Sequence, residues 1–187
     1  MVLRLSAEDH SRIRDAVAAA EARTHVHLAA WVVPASDRYL LYPLLWGAVA
    51  ALGAGGIVAG AWPQLPLREG FALEGIVFVA LSLLLDWWPL RLRIVPRHIR
   101  RHHAQTLARR EFAARILASG ERKGGVLFFV SLGERYAEIL ADRDVHARVG
   151  AAVWNKIVAD YIAAARGGRL TDGIISAIEA CSSVLSG

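Results

Sequence analysis

The spacing of apolar and polar residues changes rhythm several times along this chain, and each rhythm predicts an element. Over Leu5–Arg23 the apolar residues Ile13, Val17 and Ala20 fall on one helical stripe, with Arg12, Arg14 and Glu21 off it. Ser6, with Asp9 three residues later, has the form of a capping box and predicts where that helix starts. His25–Val33 (HVHLAAWVV) is short, apolar and bounded by Pro34, and its β-branched and aromatic residues predict a strand. Pro96–Ser119 predicts a long basic helix with apolar positions at Ile99, Leu107, Phe112, Ile116 and Leu117, broken by Gly120, Gly124 and Gly125. Val126–Leu132 (VLFFVSL) reads as a strand buried on both faces. Gly133-Glu134 then makes a turn into a returning strand, Arg135–Ala141, although Gly-Glu is a weaker hairpin signal than Asn-Gly. Ala151–Arg166 predicts a helix with Val153, Ile157, Tyr161 and Ala164 on one face, ended by Gly167-Gly168. Thr171–Leu185 predicts a last helix, capped by Thr171 and striped by Ile174, Ile178, Cys181 and Leu185.

Two stretches have no amphipathic rhythm. From Tyr39 to Leu67 no side chain is charged, and Leu41–Trp62 alone is long enough to cross a hydrocarbon layer of roughly 30 Å, which takes about 20 helical residues. A second run, Phe71–Pro89, carries Glu74 near its start and Asp86 near its end, positions that suit interfacial depth. Trp46 and Trp62 flank the first run and Trp87 and Trp88 the second, as at lipid interfaces. The first run starts too late, and lacks the cleavage site, to be a signal peptide. These features predict a transmembrane hairpin over residues 39–90, with spans near 41–62 and 71–89. Gly53, Gly55, Gly56 and Gly60 give its first helix a small-residue face for the second span or for another protomer, so a homo-oligomer is one expected assembly.

Charge sets the orientation. Lys and Arg number 22 against 17 Asp and Glu, a net charge of +5, but the excess is uneven. Arg91, Arg93, Arg97, Arg100 and Arg101, followed by Arg109 and Arg110, stand together with no acid among them, directly after the second apolar run. That placement points to anionic lipid headgroups and away from nucleic acid. The positive-inside rule then predicts a multi-pass membrane protein with both termini cytoplasmic. Hydrophobic residues make up 55%, which excludes intrinsic disorder, and a single cysteine, Cys181, excludes an internal disulfide framework.

Neither polar segment supplies a complete core. Residues 1–38 offer one helix and one strand; residues 91–187 offer a hairpin and helices. Joined, they predict a discontinuous α/β sandwich with a mixed central sheet, interrupted by the two-helix transmembrane hairpin, in which His25–Val33 pairs with Val126–Leu132.

The stretch Gly124–Ile139 (GGVLFFVSLGERYAEI) resembles the central hairpin of the TPM domain, often labelled the TPM phosphatase domain. Trp154, Ile157-Val158, Tyr161, Gly168, Asp172-Gly173-Ile174 and Ala177-Ile178 resemble its closing helices, and Leu5-Ser6, Ile13, Ala20–Thr24 and Val32-Val33 its opening helix and strand. The resemblance covers roughly residues 3–37 and 104–186, and is to the bacterial membrane-protein branch with an inserted hairpin, which implies a bacterial inner (plasma) membrane. It implies a domain some of whose members act as acid phosphatases, bind calcium, or assist membrane complexes and receptors. At the position where the family places an acid before the hairpin, this chain has Arg122 or Lys123, and the following loop, Asp142-Arg143-Asp144-Val145-His146, lacks the family's Gly-rich acidic run.

Candidate chemistry is correspondingly thin. Asp142 and Asp144 are the acidic metal candidates, short of the roughly six to eight oxygens calcium takes. No cofactor is expected, and calcium is the ion the resemblance leaves open. His98 and His102 have the i,i+4 spacing of a zinc pair, but arginines surround them. Cys181 lies on an apolar stripe, as a core thiol does. No catalytic residue is assigned. The sequence therefore predicts a non-catalytic binding or assembly module with an unidentified protein partner and a lipid partner at Arg91, Arg93, Arg97, Arg100 and Arg101; the alternative is a phosphatase or other hydrolase.

Overall fold

A computed structural model of the chain describes residues 5–24, 26–37, 39–87, 95–116 and 124–186. The elements in chain order are α1 (Ala7–Glu21), β1 (His27–Val33), α2 (Leu41–Ala61), α3 (Leu67–Leu85), α4 (Arg97–Arg115), β2 (Gly125–Ser131), β3 (Tyr136–Ala141), α5 (Arg143–Val149), α6 (Ala151–Arg166) and α7 (Leu170–Ser186). They fall into two compact units, Asp37–Arg100 and a discontinuous one made of Val2–Ser36 with Arg101–Gly187.

The discontinuous unit is organised around β2. This strand pairs in parallel with β1, with Ala30 opposite Phe128 and Val32 opposite Val130, and antiparallel with β3, with Phe128 opposite Ile139. All seven residues of β2 are buried. Because side chains alternate across a strand, its apolar run divides between two cores. Val126, Phe128 and Val130 join Ile13 and Ala20 of α1, Trp154, Ile157 and Tyr161 of α6, and Ile174, Ile178 and Cys181 of α7. Leu127 and Phe129 join Ala104 and Ala108 of α4 and the following Ile116. The continuous hydrophobicity of VLFFVSL is thus explained by a central strand covered from both sides.

The helix ends follow local chemistry. Ser6 caps α1: its hydroxyl accepts from the Asp9 N–H at 3.0 Å while its own N–H donates to Asp9 Oδ2 at 2.9 Å. The Ser6 N–H and then the Ser6 hydroxyl, both donating to its carboxylate, hold Asp9 below its usual range. At the end of α6 the chain turns through Gly168 at φ 78°, where a side chain would be strained. Thr171 is not the cap expected of it. It sits in the first turn of α7 and donates to Asp9 Oδ1 at 2.9 Å, while Arg12 pairs with Asp172 at 2.8 Å, so the starts of α1 and α7 are tied together.

Two broad expectations are overturned. The described residues form seven helices and one three-stranded sheet, a mainly helical chain and not an α/β sandwich carrying a two-helix transmembrane hairpin. Among the described residues only Leu41–Ala61 is long and apolar enough to cross a membrane. α3 does not qualify, since Arg68, Glu69 and Glu74 all fall within it, each costly in hydrocarbon. One candidate span does not fit a multi-pass inner-membrane protein. The inference that both termini are cytoplasmic needed an even number of spans and falls with it.

In the unit Asp37–Arg100, α2 and α3 approach along a seam of small residues. A Cβ on Gly47 would lie 2.5 Å from Ser82 Oγ, and one on Gly55 would lie 3.3 Å from the Glu74 carboxylate. A Cβ on Gly53, Gly56 or Gly60, expected on the packing face, would meet nothing within 4 Å among the described residues, so these positions do not point at α3. The seam instead follows the four-residue repeat Gly47, Ala51, Gly55, which stays on one side of a helix.

Candidate functional site

The most unusual surface on the described chain belongs to α2 and α3. Leu41, Leu52 and Ile57 of α2 and Leu67, Phe71, Ile76 and Leu83 of α3 are 65–79% exposed. Burying one such side chain is worth about 1.5–3 kcal/mol, so seven left in water forgo on the order of 10 kcal/mol. Large apolar side chains exposed in this number on two packed helices point to an interaction surface.

Where the helices diverge toward their connection, they leave a cavity of about 360 Å³ lined by Gly55, Val58, Trp62, Leu65, Phe71 and Glu74 among others. Its walls are largely apolar. Glu74, which the sequence suggested for interfacial depth, lies over Gly55 and is half-buried. Its carboxylate has no hydrogen bond or ion pair among the described residues.

The arginines expected at lipid headgroups are only partly placed. Arg91 and Arg93 lie outside the described residues. Arg97 and Arg101 are exposed, one helical turn apart on α4, and Arg100 is half-buried with its Nε unpartnered among the described residues. His98 and His102 are exposed on the same helix, and His102 and His103 meet edge to face at 6.4 Å. Among the described residues no three His, Cys, Asp or Glu side chains come together as metal ligands would.

The acidic candidates do not converge either. The segment Asp142–His146, read as a loop, is the start of α5. Asp142 caps that helix, accepting from the Arg143 N–H at 2.7 Å, and Asp144 is exposed in its first turn. Asp160 pairs with Lys156 at 2.6 Å and Asp172 with Arg12, so carboxylates elsewhere in the fold are engaged as well. Arg122 and Lys123 lie outside the described residues. Cys181 is fully buried, and desolvation pushes its thiol up to about 12, as suits a core group and not a nucleophile at neutral pH.

Sequence reasoning missed one polar network. At the carboxyl ends of β1 and β2 the Ser36 N–H donates to Glu134 Oε1 at 2.9 Å and the Ser36 hydroxyl to Ser131 Oγ at 3.1 Å, while the Ser131 hydroxyl donates to Glu134 Oε2. The available signal was a serine inside an otherwise apolar strand, followed by Gly-Glu. The network satisfies a fully buried hydroxyl and fixes the exit of β1 to the β2–β3 turn. Beside it, the Gly133 N–H donates to the Pro34 carbonyl at 2.8 Å, and a Cβ on Gly133 would lie 2.9 Å from that same oxygen. A second group, Tyr136 donating to Glu138 Oε2 at 2.8 Å, lies on β3, where burial and then the Glu138 hydrogen bond push the phenol up to about 12.

No protein-family model matches the chain. No curated protein matches it. Its fold is similar to the NMR structure of the BA42 protein from the psychrophilic bacterium Bizionia argentinensis, with a TM-score of 0.54 and 12% identity, over 100% of this chain and 85% of that one. At that identity the likeness shows the fold alone.

Proposed function

We propose that the chain is a non-catalytic binding or assembly module, a TPM-like domain held at a lipid surface by α2 and α3. The observation that carries this reading is the exposed apolar surface of those two helices. Asp142, Asp160 and Asp172 support the non-catalytic part, since the first is engaged in a helix cap and the other two in ion pairs. The order of helix, strand, hairpin and paired closing helices supports the TPM-like part. The discontinuous unit then meets its protein partner at that surface, and the arginines of α4 add attraction for anionic lipid.

Flotation of the full chain with vesicles of phosphatidylcholine, with and without phosphatidylglycerol, tests the reading. The chain floats with both, and more completely with the anionic vesicles at low salt. Leu52→Asp, near the middle of α2, weakens flotation, because an aspartate at a helix centre in hydrocarbon costs about 2.5–3.5 kcal/mol. A chain that stays monomeric and soluble without detergent, and does not float, overturns it.

A further inference from the structure

We propose that the cavity between α2 and α3 binds an amphiphile with an ammonium head group, the cation seated at Glu74. A carboxylate in largely apolar walls, with no partner among the described residues, is an unbalanced negative charge. A neutral or anionic ligand would leave it unpaired and further desolvated. A divalent metal would find one carboxylate where it needs several oxygens. An organic monocation meets both features, placing its charge at Glu74 and its methyl or methylene groups against aromatic rings. Trp62 and Phe71 supply those rings in the cavity wall, and ammonium ions are attracted to their faces. Val58 and Leu65 continue the apolar wall for a tail. The volume of about 360 Å³ is within the range of small-molecule sites, which lies at roughly 300–1,000 Å³.

Gly55 gives the site its room. The Glu74 carboxylate occupies the space over the bare backbone there, with a Cβ position only 3.3 Å from it. A larger residue at 55 would displace the carboxylate and fill part of the cavity. The inference uses the same two helices as the lipid-surface reading, yet it concerns head-group selection, which vesicle flotation does not report.

The test uses the full chain in a neutral maltoside detergent. Two probes share one brominated alkyl tail, one with a trimethylammonium head and one with a maltoside head. Bromine quenches nearby tryptophan, and the Trp62 contribution is the difference between the native chain and Trp62→Phe. The ammonium probe is expected to half-saturate Trp62 quenching at a concentration at least about tenfold lower than the maltoside probe, the size of a partly desolvated cation–π and charge contact. Glu74→Gln, which keeps the side-chain shape, abolishes the preference, and Gly55→Val lowers quenching by both probes. Equal half-saturation for the two heads, or a preference that survives in Glu74→Gln, overturns the proposal. Vesicle flotation of Glu74→Gln separates the two readings: flotation kept while head-group selection is lost supports the site, and a chain that never floats but still selects ammonium sinks only the lipid-surface reading.

Discussion

Replacing Phe128 by alanine tests whether the β2 core organises the discontinuous unit. Phe128 is fully buried at the centre of β2 and meets Tyr161 of α6 edge to face, with ring centroids 5.3 Å apart and planes at 85°. Truncating a buried phenylalanine to alanine costs about 3–5 kcal/mol, through lost burial and the cavity left behind. The edge-to-face pair accounts for about 0.5–1.5 kcal/mol of it. Against a total stability of about 5–15 kcal/mol this is a large fraction. Global denaturation would mix the two compact units, so the assay is amide hydrogen exchange of β2 read by mass spectrometry, which reports opening of this sheet alone. A loss of about 3–5 kcal/mol accelerates exchange of residues 125–131 by about two to three and a half decades. Phe128→Leu, with a smaller loss, keeps the fold and allows a double-mutant cycle with Tyr161→Leu, expected to show about 1 kcal/mol of coupling. A rise of less than tenfold in Phe128→Ala, or no coupling in the cycle, would refute the packing described for the α6 face of the sheet.

Three further outcomes follow from the same structure. Burial raises Tyr136, Tyr161 and Cys181 to about 12 from ordinary values of 10, 10 and 9, so the unfolded chain loses these protons first; stability is intact below pH 9, falls as pH rises toward 12, and falls less in Tyr161→Phe, whereas a melting temperature flat across that window contradicts the burial. Gly173→Val should lower stability by about 1–3 kcal/mol, because even a Cβ there would stand 2.9 Å from the Ala164 Cβ on α6; thermal melting equal to the native chain would mean the α6–α7 contact is looser than described. Turnover of a generic phosphomonoester with added calcium or magnesium should stay at background and be unchanged in Asp142→Asn and Asp144→Asn; micromolar metal binding lost together with turnover in those variants would make the protein an enzyme.

Much of the local structure is legible in short windows of sequence. Ser6 and Asp9 fix the start of α1 because a cap closes within three residues. VLFFVSL shows a strand with no solvent face, since any exposed position would have carried a polar group. The stripes of α6 and α7 and the glycine after α6 are equally local. What the chain does with these pieces depends on residues far apart. Asp142 caps a helix because the chain turns into α5 straight after β3, a choice no spacing rule makes. Thr171 leaves its expected capping role because Asp9, 162 residues away, accepts its hydroxyl. Among the described residues the sheet has three strands, and the helices around it set the class of the fold. Along α2, the repeat of small residues could lie on either of two faces. Only the approach of α3 selects Gly47 and Gly55 and leaves Gly56 and Gly60 open, and that choice places Glu74 in its cavity. Hydrogen bonds within a few residues close at little entropic cost whatever the surroundings. Contacts across ninety or more residues form only when the whole set of packed faces makes them the lowest free-energy option.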